Sequence, residues 1–251
     1  MSKYDLSLEK PLMNAAGSLG YAPDLRGPIE LTQLGAFVTN PVSLKARTPA
    51  HGTRMLSFPG GFLLHTGHPN RGLEAVIRRY RTRWARSPLP VLVHILAQGV
   101  EEVAEMVQRL ENLEGVMGVE IGLSSEVDAN TAAMYIQAAM GELPVVARLP
   151  IERARELIYT IAGTEVAAVS LGPARGALPN TQGQLIHGRI YGPGVLPQAL
   201  ATVKAITQLD VPVIGAGGVY TPQDIQAMQA AGATAVQLDA VLWRDGVPGE
   251  S

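Results

Sequence analysis

The stretch PVIGAGGVYTPQDIQAMQAAGATAVQLDAVL, residues 212–242, decides the fold of this chain. It contains an apolar strand, a glycine turn, a helix and a second apolar strand. Thr221 is a good N-cap residue, Pro222 stands at the first helical position, and Gly232 follows the last helical residues. Because a helix between two apolar strands is typical of a βαβ unit, the stretch predicts a parallel sheet.

Short apolar runs of the same kind recur along the chain, each bounded by Gly, Pro or Asn. They are almost continuously apolar, as is expected of parallel strands that are covered on both faces. The predicted strands are 11–17, 36–41, 90–96, 118–123, 144–149, 167–172, 212–218 and 235–242. Helical patterns lie between most of them, so we expect an α/β fold of the (β/α)8 TIM barrel type, with a doubly wound open sheet as the alternative.

Two segments interrupt the alternation of strands and helices, at 52–70 and 176–194. Both follow a predicted strand and have loop-like sequences, so in a barrel they would cover the C-terminal mouth, where ligands bind. Only nine residues follow Leu242, and the last helix is therefore expected to be short or missing. We interpret 1–251 as a single barrel domain whose bare wall is covered in a homodimer or a heteromeric complex.

The composition excludes several classes of function. The 251 residues include no cysteine, which excludes disulfides, iron–sulfur clusters and a cysteine nucleophile. The formal net charge is −2 and gives no reason to expect a nucleic-acid partner. No signal peptide or membrane-spanning run is visible, so we expect a cytoplasmic protein that binds a small molecule and has no membrane partner.

The glycine turn of the opening stretch is a candidate anion site. Gly217 and Gly218 allow the backbone to approach an anion closely, and the following helix N-terminus adds a favourable dipole. A tight strand-to-helix turn would explain the glycines equally well. Asp239 at the end of the eighth strand opposes an anion, because like charges ~5 Å apart cost ~3 kcal/mol at an effective dielectric of ~20. Arg175 and Arg189 are the candidates to offset that charge.

Histidines supply the candidate acid–base chemistry. His94 lies in the third predicted strand, and His65 and His68 lie in the first insertion, so they are expected to converge above the barrel. Ser125 follows the fourth strand, where a loop or N-cap role is the alternative to a catalytic one. These histidines stand on separate elements and match no metal-binding motif, so no metal site is predicted.

Several segments, in order along the chain, resemble the dihydroorotate dehydrogenases, which are FMN enzymes with a (β/α)8 barrel. They are PLMNAAGSLG (11–20), GAFVTNPVSLKAR (35–47), FPGGFLLHTGHPNRGLEAVI (58–77), VEIGLSSE (119–126), YGPGVLPQAL (191–200) and the opening stretch. The resemblance runs over residues 6–243. It implies a flavin-dependent oxidoreductase acting on CH–CH groups, in which a base removes one proton and the flavin accepts a hydride.

The resemblance also assigns roles to individual positions. The implied FMN-binding residues are Ala16, Gly17, Asn40, Arg148, Gly192, Gly217 and Gly218. Asn40 and Arg148 stand where the family has lysines that contact the flavin, although Arg148 could instead pair with Glu120 on the neighbouring strand. Ser125 aligns with the catalytic base of the family, and His94 and His65 complete the set of catalytic candidates.

Other positions depart from the family pattern. Leu64 and Gly122 replace two asparagines that hold the substrate, and Asp239 and Ala240 replace a Gly-Thr pair that helps to bind phosphate. We therefore expect a bound FMN and a substrate other than dihydroorotate. The alternative is a flavin-free barrel that serves as a structural or regulatory subunit or binds another small ligand.

Overall fold

The computed structural model of the protein describes Leu6 and residues 8–96 and 98–249. The strands in chain order are β1 (Leu12–Asn14), β2 (Phe37–Val38), β3 (Val42–Ser43), β4 (Met55–Phe58), β5 (Gly61–Leu64), β6 (Val91–Leu96), β7 (Val116–Gly122), β8 (Val145–Leu149), β9 (Ala168–Leu171), β10 (Arg175–Pro179), β11 (Leu185–Tyr191), β12 (Val213–Ala216) and β13 (Ala235–Leu238). The α-helices are α1 (Leu73–Ala85), α2 (Val100–Glu111), α3 (Ala129–Ala139), α4 (Ala154–Ile161), α5 (Leu196–Ile206) and α6 (Pro222–Ala230).

The larger sheet is parallel and curls into a barrel. Its strand order is β1-β13-β12-β9-β8-β7-β6-β2, and β3 pairs with β6 beyond the end of β2. A parallel bridge between Met13 and Ala36 brings the two ends of the sheet together. The predicted (β/α)8 barrel is confirmed, and the alternative of an open doubly wound sheet is wrong.

Two of the eight outer positions carry no α-helix in the described residues. The segment between β1 and β2 contains only a 3-10 helix, Leu31–Gln33, and the segment after β13 contains only another, Ala240–Trp243. The short C-terminal element agrees with the sequence prediction, whereas the loss of the first helix was not anticipated. Within the described ranges no helix has both the length and the apolar character needed to cross a membrane.

The turn between β12 and α6 is fixed by a capping box. The Thr221 hydroxyl accepts the Asp224 amide at 3.2 Å, and the Asp224 carboxylate accepts the amides of Thr221 at 2.8 Å and Tyr220 at 2.9 Å. Three backbone amides at the start of the helix are satisfied in this way.

The two interrupting segments pair with each other instead of forming separate loops. Strands β10, β11, β5 and β4 form an antiparallel sheet in that order, in which β11 is paired with β5. Gly188 is required at this contact, because a Cβ atom there would lie 2.5 Å from the carbonyl oxygen of Leu64. The sheet joins both insertions into one cover, which we call the hairpin sheet (55–64 and 175–191).

The barrel interior changes from apolar to polar along its axis. One buried cluster includes Met13, Val38, Leu92, Val146 and Ile214 and fills the barrel near the start of the strands. Later positions of the same strands carry a set of buried polar side chains, namely Asn14, His94, Glu120, Arg148, Ser170, Gln237 and Asp239. Because buried polar groups cost free energy unless they are paired, this end of the barrel is the expected location of a functional site.

Candidate active site at the barrel mouth

Glu120 is the centre of the buried polar set. One carboxylate oxygen, Oε1, accepts hydrogen bonds from Ser170 Oγ and from Gln237 Nε2, both at 2.7 Å. The other, Oε2, lies 2.6 Å from His94 Nδ1 and 3.6 Å from an NH1 nitrogen of Arg148. Strands β6, β7, β8, β9 and β13 thus each contribute one side chain to the network around a single carboxylate.

The network keeps Glu120 ionised. Burial alone would raise the pKa of Glu120, but the charge of Arg148 and the hydrogen bonds from His94 and Gln237 outweigh burial and lower this pKa to about 2. A carboxylate buried in this way costs several kcal/mol unless it is both paired and hydrogen-bonded, and here it is both. The interpretation of Glu120 as the partner of Arg148 agrees with the 3.6 Å approach, although that distance is longer than a hydrogen bond.

His94 is oriented as a proton acceptor. Its Nδ1 atom points at a carboxylate that can only accept, so this nitrogen carries the proton and Nε2 is left with the lone pair. Burial lowers the pKa of His94, although its hydrogen bond to Glu120 acts in the opposite direction. A Cβ atom at Gly122 would lie only 2.6 Å from Nε2, so the histidine ring uses the space that a side chain at 122 would need.

The mouth holds a cavity of about 560 Å³ above this network. His94, Ser125 and Arg148 line it, together with His68 from the first insertion and Arg189 from β11. A second cavity, of about 280 Å³, borders the first at His68 and Arg189 and is lined also by Gly17, Asn40, Tyr191 and Trp243. The two cavities give the mouth enough room for a ligand of small-molecule size.

Arg189 and His68 separate the two cavities. The NH1 nitrogen of Arg189 lies 3.1 Å from His68 Nδ1, and NH2 donates to Thr66 Oγ1 at 2.9 Å. Burial and the charge of Arg189 lower the pKa of His68 to about 2, so this ring is neutral and accepts from the guanidinium. His68 also has a positive φ of 51°, which is uncommon for a residue other than glycine.

The glycine turn presents unpaired backbone amides. Gly217 and Gly218 have φ values of 107° and 73°, a conformation that favours glycine. Neither amide forms a hydrogen bond within the described residues, and both residues are buried. Buried amides are nearly always paired, so this pair has the character of an anion site.

Asp239 lies next to this turn with its side chain buried. Its Oδ1 atom accepts the amide of Ala240 at 2.5 Å and caps the 3-10 helix Ala240–Trp243. Only 8% of the residue is exposed, which excludes the arrangement in which the carboxylate turns out to solvent. Burial raises the pKa of Asp239 to about 6, against opposing effects of the Ala240 amide and Arg148.

The sequence candidates do not all lie together. His94, Ser125 and Arg148 line the large cavity, whereas the exposed side chain of His65 lines neither of the two mouth cavities. Asn40 faces the smaller cavity, and its Oδ1 atom also accepts the amide of Gly20 at 3.1 Å, which ties down the loop after β1.

The remaining cofactor candidates border the mouth through their backbones. Ala16 and Gly17 follow β1, Gly192 follows β11, and Gly217 and Gly218 follow β12. Ser170 and Gln237 were not identified from the sequence. Each stands at an inward position of an apolar strand, and a polar residue at such a position was the feature that could have revealed it.

The cofactor implied by the resemblance can be tested against these groups. Arg148 Nε and Gln237 Oε1 are buried without hydrogen-bond partners, so one donor and one acceptor of the network around Glu120 are left unpaired. The amides of Gly217 and Gly218 add two donors suited to a phosphate. These groups fit a flavin with a polar ring edge and a phosphate tail. Asp239 is the exception, because it brings a carboxyl group to the phosphate end.

No group of three or more His, Asp or Glu side chains in the described residues is arranged to hold a metal ion. The fold and the mouth together define a class of protein, namely a parallel α/β barrel with a buried acid–base network beneath an arginine-lined cavity.

Comparison with known sequences identifies the family within that class. The sequence model of dihydroorotate dehydrogenase matches residues 2–136 and 174–248, and the chain belongs to this family. The catalytic subunit of dihydroorotate dehydrogenase B (NAD(+)) from Desulforudis audaxviator is 30% identical over 92% of this chain and 82% of its own length. That from Geobacter metallireducens is 30% identical over 100% of this chain and 91% of its own length. The family relatives are oxidoreductases that act on CH–CH groups.

A solved structure agrees on the fold. Dihydroorotate dehydrogenase from Eimeria tenella, crystallised in complex with ferulenol, matches 94% of this chain and 77% of its own with a TM-score of 0.77. The sequence identity of that pair is 16%, so the likeness supports the barrel and not the substrate.

Proposed function

We propose that the protein is an FMN-dependent oxidoreductase that oxidises a small organic acid other than dihydroorotate, with His94 as its catalytic base. Family membership supports the reaction class. The observation that carries the proposal is the His94–Glu120 pair, which is 2.6 Å long and borders the mouth cavity.

The protein's own groups have defined tasks in this reaction. FMN, when bound, would supply the hydride acceptor. His94 Nε2 would take the proton from the substrate, and Glu120 would stabilise the resulting imidazolium through Nδ1–H. Arg148 holds positive charge at the mouth, where it stabilises negative charge that develops during proton removal. Gly217 and Gly218 would hold the phosphate with their free amides.

Ser125 is the weaker candidate for the base. It lines the same cavity, but no described side chain is bonded to its hydroxyl, and its carbonyl oxygen is an acceptor for Arg153 at 3.3 Å. A serine hydroxyl needs a second group that removes its proton before it can act as a base. His94 already has such an orienting partner in Glu120.

The proposed departure from dihydroorotate rests on two positions of the mouth. Gly122 leaves its space to the ring of His94, and Leu64 is the register partner of Arg189. The two asparagines of the family are thus absent, and an imidazole and a guanidinium lie beside their positions. Removing partners from a buried polar contact costs about 1–3 kcal/mol for each group. A substrate that relied on both amides would lose most of its specific binding.

The test is to purify the protein without added flavin, denature it and identify any released cofactor by chromatography. Small organic acids are then screened anaerobically for bleaching of the bound flavin. With an acid that bleaches it, His94→Gln should slow the reduction about 10²–10⁴-fold, as expected for loss of a general base. Ser125→Ala is the matched control and should reduce the flavin at nearly the wild-type rate. The opposite ranking of the two variants would refute the assignment of the base.

A second candidate function is favoured by Asp239. Its buried carboxylate already accepts the Ala240 amide, which gives the 3-10 helix an internal anion in place of a bound phosphate. In that case the barrel binds a small ligand at the mouth without a flavin and serves as a structural or regulatory subunit. Protein that remains free of flavin after incubation with excess FMN would favour this candidate.

A further inference from the structure

We infer that the mouth cavity binds a small organic acid with two carboxylates, held between Arg148 in the barrel and Arg189 with Arg175 in the hairpin sheet. This inference rests on the same site as the proposed function and names the chemical class of its substrate. It does not depend on a flavin. Three independent observations on the arginines of the cavity support it.

Arg148 has unused hydrogen-bonding capacity. It is 9% exposed, its Nε atom is buried without a partner, and its nearest carboxylate oxygen on Glu120 is 3.6 Å away. Glu120 is already bonded to His94, Ser170 and Gln237, so it cannot satisfy the guanidinium as well. The terminal nitrogens of Arg148 form no hydrogen bond to a described residue and belong to a side chain that lines the cavity, so an acceptor bound there can pair with them.

Arg189 is a second cation without a counter-ion. Its guanidinium bonds the neutral ring of His68 and the hydroxyl of Thr66, and it forms no salt bridge to a described carboxylate. Because neither partner carries a negative charge, the positive charge of Arg189 remains uncompensated at the boundary between the two cavities.

Arg175 adds like charge at the same place. Arg175 and Arg189 are directly opposite in the antiparallel pairing of β10 with β11, so both side chains point to the same face of the hairpin sheet. Like charges in opposed positions destabilise a sheet. Both line the large cavity, and an anion bound between them would turn the repulsion into attraction.

The acidic residues that line the cavity lie at its exposed rim. Asp128 is exposed and occupied as the N-cap of α3, where it accepts the amide and the hydroxyl of Thr131 at 2.9 and 2.6 Å. Glu126 is exposed as well. Because exposed charges are screened by water, these two carboxylates leave hydrogen-bond donors of the arginines free inside the cavity.

The two arginine groups belong to different layers, which determines the class of ligand. Arg148 lies near the end of strand β8 inside the barrel, whereas Arg175 and Arg189 belong to the hairpin sheet that covers it. A guanidinium binds a carboxylate in a two-pronged manner, so each layer can take one carboxylate. An acid with two separated carboxylates satisfies both layers, whereas an acid with one leaves a layer unpaired.

The experiment compares three probes of nearly equal size on the wild-type protein. Succinate carries two carboxylates, butyrate carries one and succinamide carries none. We expect succinate to raise the melting temperature and to bind, by calorimetry, at least about tenfold more tightly than butyrate, as for one charge-assisted hydrogen-bonded pair. Succinamide should have no measurable effect. Equal binding of succinate and butyrate would overturn the inference, and so would inorganic phosphate binding more tightly than succinate.

Variants locate the bound acid. Arg189→Gln and Arg175→Gln should each lower the affinity for succinate at least about tenfold. Each should also lower the ratio of succinate affinity to butyrate affinity. Arg109→Gln, at a half-exposed position of α2 where Arg109 pairs with Glu105, is the matched control and should bind succinate as wild type does. Unchanged succinate binding in both mouth variants would place the acid elsewhere and refute the site. If Arg189→Gln fails to fold, the Arg175→Gln variant, at an exposed position, and the three probes on the wild type still test the dicarboxylate site.

The outcomes also separate this inference from the proposed function. Protein without flavin that prefers succinate to butyrate would support the dicarboxylate site and refute the flavin-dependent reaction. Protein with bound flavin and equal affinity for succinate and butyrate would support the flavin-dependent reaction and refute the dicarboxylate site.

Discussion

His94 Nδ1 lies 2.6 Å from Glu120 Oε2, and both side chains are buried within the barrel. The two residues are neighbours because β6 and β7 pair in a register that places His94 opposite Glu120. Inward positions of adjacent parallel strands at the same height bring the imidazole and the carboxylate into contact, although 26 residues separate them in the sequence.

Replacing Glu120 with Gln tests this pair directly. A glutamine side chain can still accept a hydrogen bond but carries no charge, so the imidazolium form of His94 loses its stabilisation. We expect the His94 pKa, followed by NMR, to fall further below its ordinary value, and the free energy of unfolding to drop by about 3–5 kcal/mol. Ser170→Ala, which removes a neutral donor to the same carboxylate, should leave the His94 resonances nearly unchanged. A His94 pKa unaffected by Glu120→Gln would contradict the assigned orientation.

Asp239 should control the affinity for FMN. Asp239→Gly removes the buried carboxyl group and frees the Ala240 amide. We therefore expect FMN to bind about one to two orders of magnitude more tightly, where each tenfold corresponds to about 1.4 kcal/mol of binding free energy. Fluorescence quenching of added FMN measures the change. Asp245→Gly is a matched control, since Asp245 is an exposed carboxylate just beyond the same 3-10 helix. Wild-type protein that already binds FMN as tightly as the variant would refute the repulsion.

The same carboxyl group makes stability depend on pH. The folded-state pKa of Asp239 is about 6 and its ordinary value is 3.8, so the folded state holds the proton more tightly. The resulting stabilisation is fully present below about pH 4 and is lost as the pH rises through 6, with a full size of about 3 kcal/mol. The free energy of unfolding, measured by urea titration at several pH values, should fall between about pH 4 and 6 for the wild type. It should change less with pH for Asp239→Asn. Parallel curves for the two proteins would show that Asp239 does not titrate as stated.

Dihydroorotate should be a poor substrate. With Gly122 and Leu64 in place of amide side chains, several contacts to its polar groups are missing, each costing about 1–3 kcal/mol. We expect little or no bleaching of bound flavin by dihydroorotate under anaerobic conditions. One of the bacterial relatives, assayed in parallel, provides the positive control. Turnover by this protein at a rate similar to that of the relative would exclude a changed substrate.

Assembly remains a prediction from the missing outer helices. Leu25 is 70% exposed and Trp243 is 47% exposed, and both belong to the segments that replace those helices. Exposed apolar residues mark an interface when they form a contiguous patch, so the prediction is that Leu25 and Trp243 belong to such patches. We expect light scattering to show a homodimer, or a partner to co-purify from the native source. Leu25→Glu should then shift the assembly towards the monomer, whereas Met134→Glu on α3 serves as the control. A concentrated wild-type protein that is monomeric and has no partner would refute the prediction.

The described sequence patterns were sufficient for most of the fold. Eight apolar runs and the helical patterns between them predicted the barrel, since a parallel sheet covered on both faces requires continuous apolar strands. The end of the last strand was misplaced. β13 ends at Leu238 rather than at 242, because Asp239 caps a 3-10 helix. The apolar pattern of residues 235–242 does not distinguish a strand from a strand followed by a short helix.

Residue types suggested His94 for the mouth and the turn at Gly217 and Gly218 for an anion, and the family resemblance added Ser125 and Arg148. These residues follow or end parallel strands, whose carboxyl ends meet at one edge of the barrel, so their general location was determined by sequence. Asp239 was recognised as a conflict for the same reason. The direction of its side chain was not determined, because both faces of a strand end are open until the neighbouring elements are in place.

The tertiary structure decided which side chains touch, apart from the pairing of Arg148 with Glu120, which the sequence already suggested as an alternative. The register of β6 with β7 places His94 opposite Glu120, and Arg148 of β8 approaches the same carboxylate. The pairing of β5 with β11 lies beside the contact of His68 with Arg189. His65 and His68 looked equivalent in sequence, yet His68, which has a positive φ, lines the mouth, while His65 is exposed and lines neither mouth cavity. Local sequence sets the periodicity of each element, but contacts between distant segments depend on register and packing, which are properties of the whole fold.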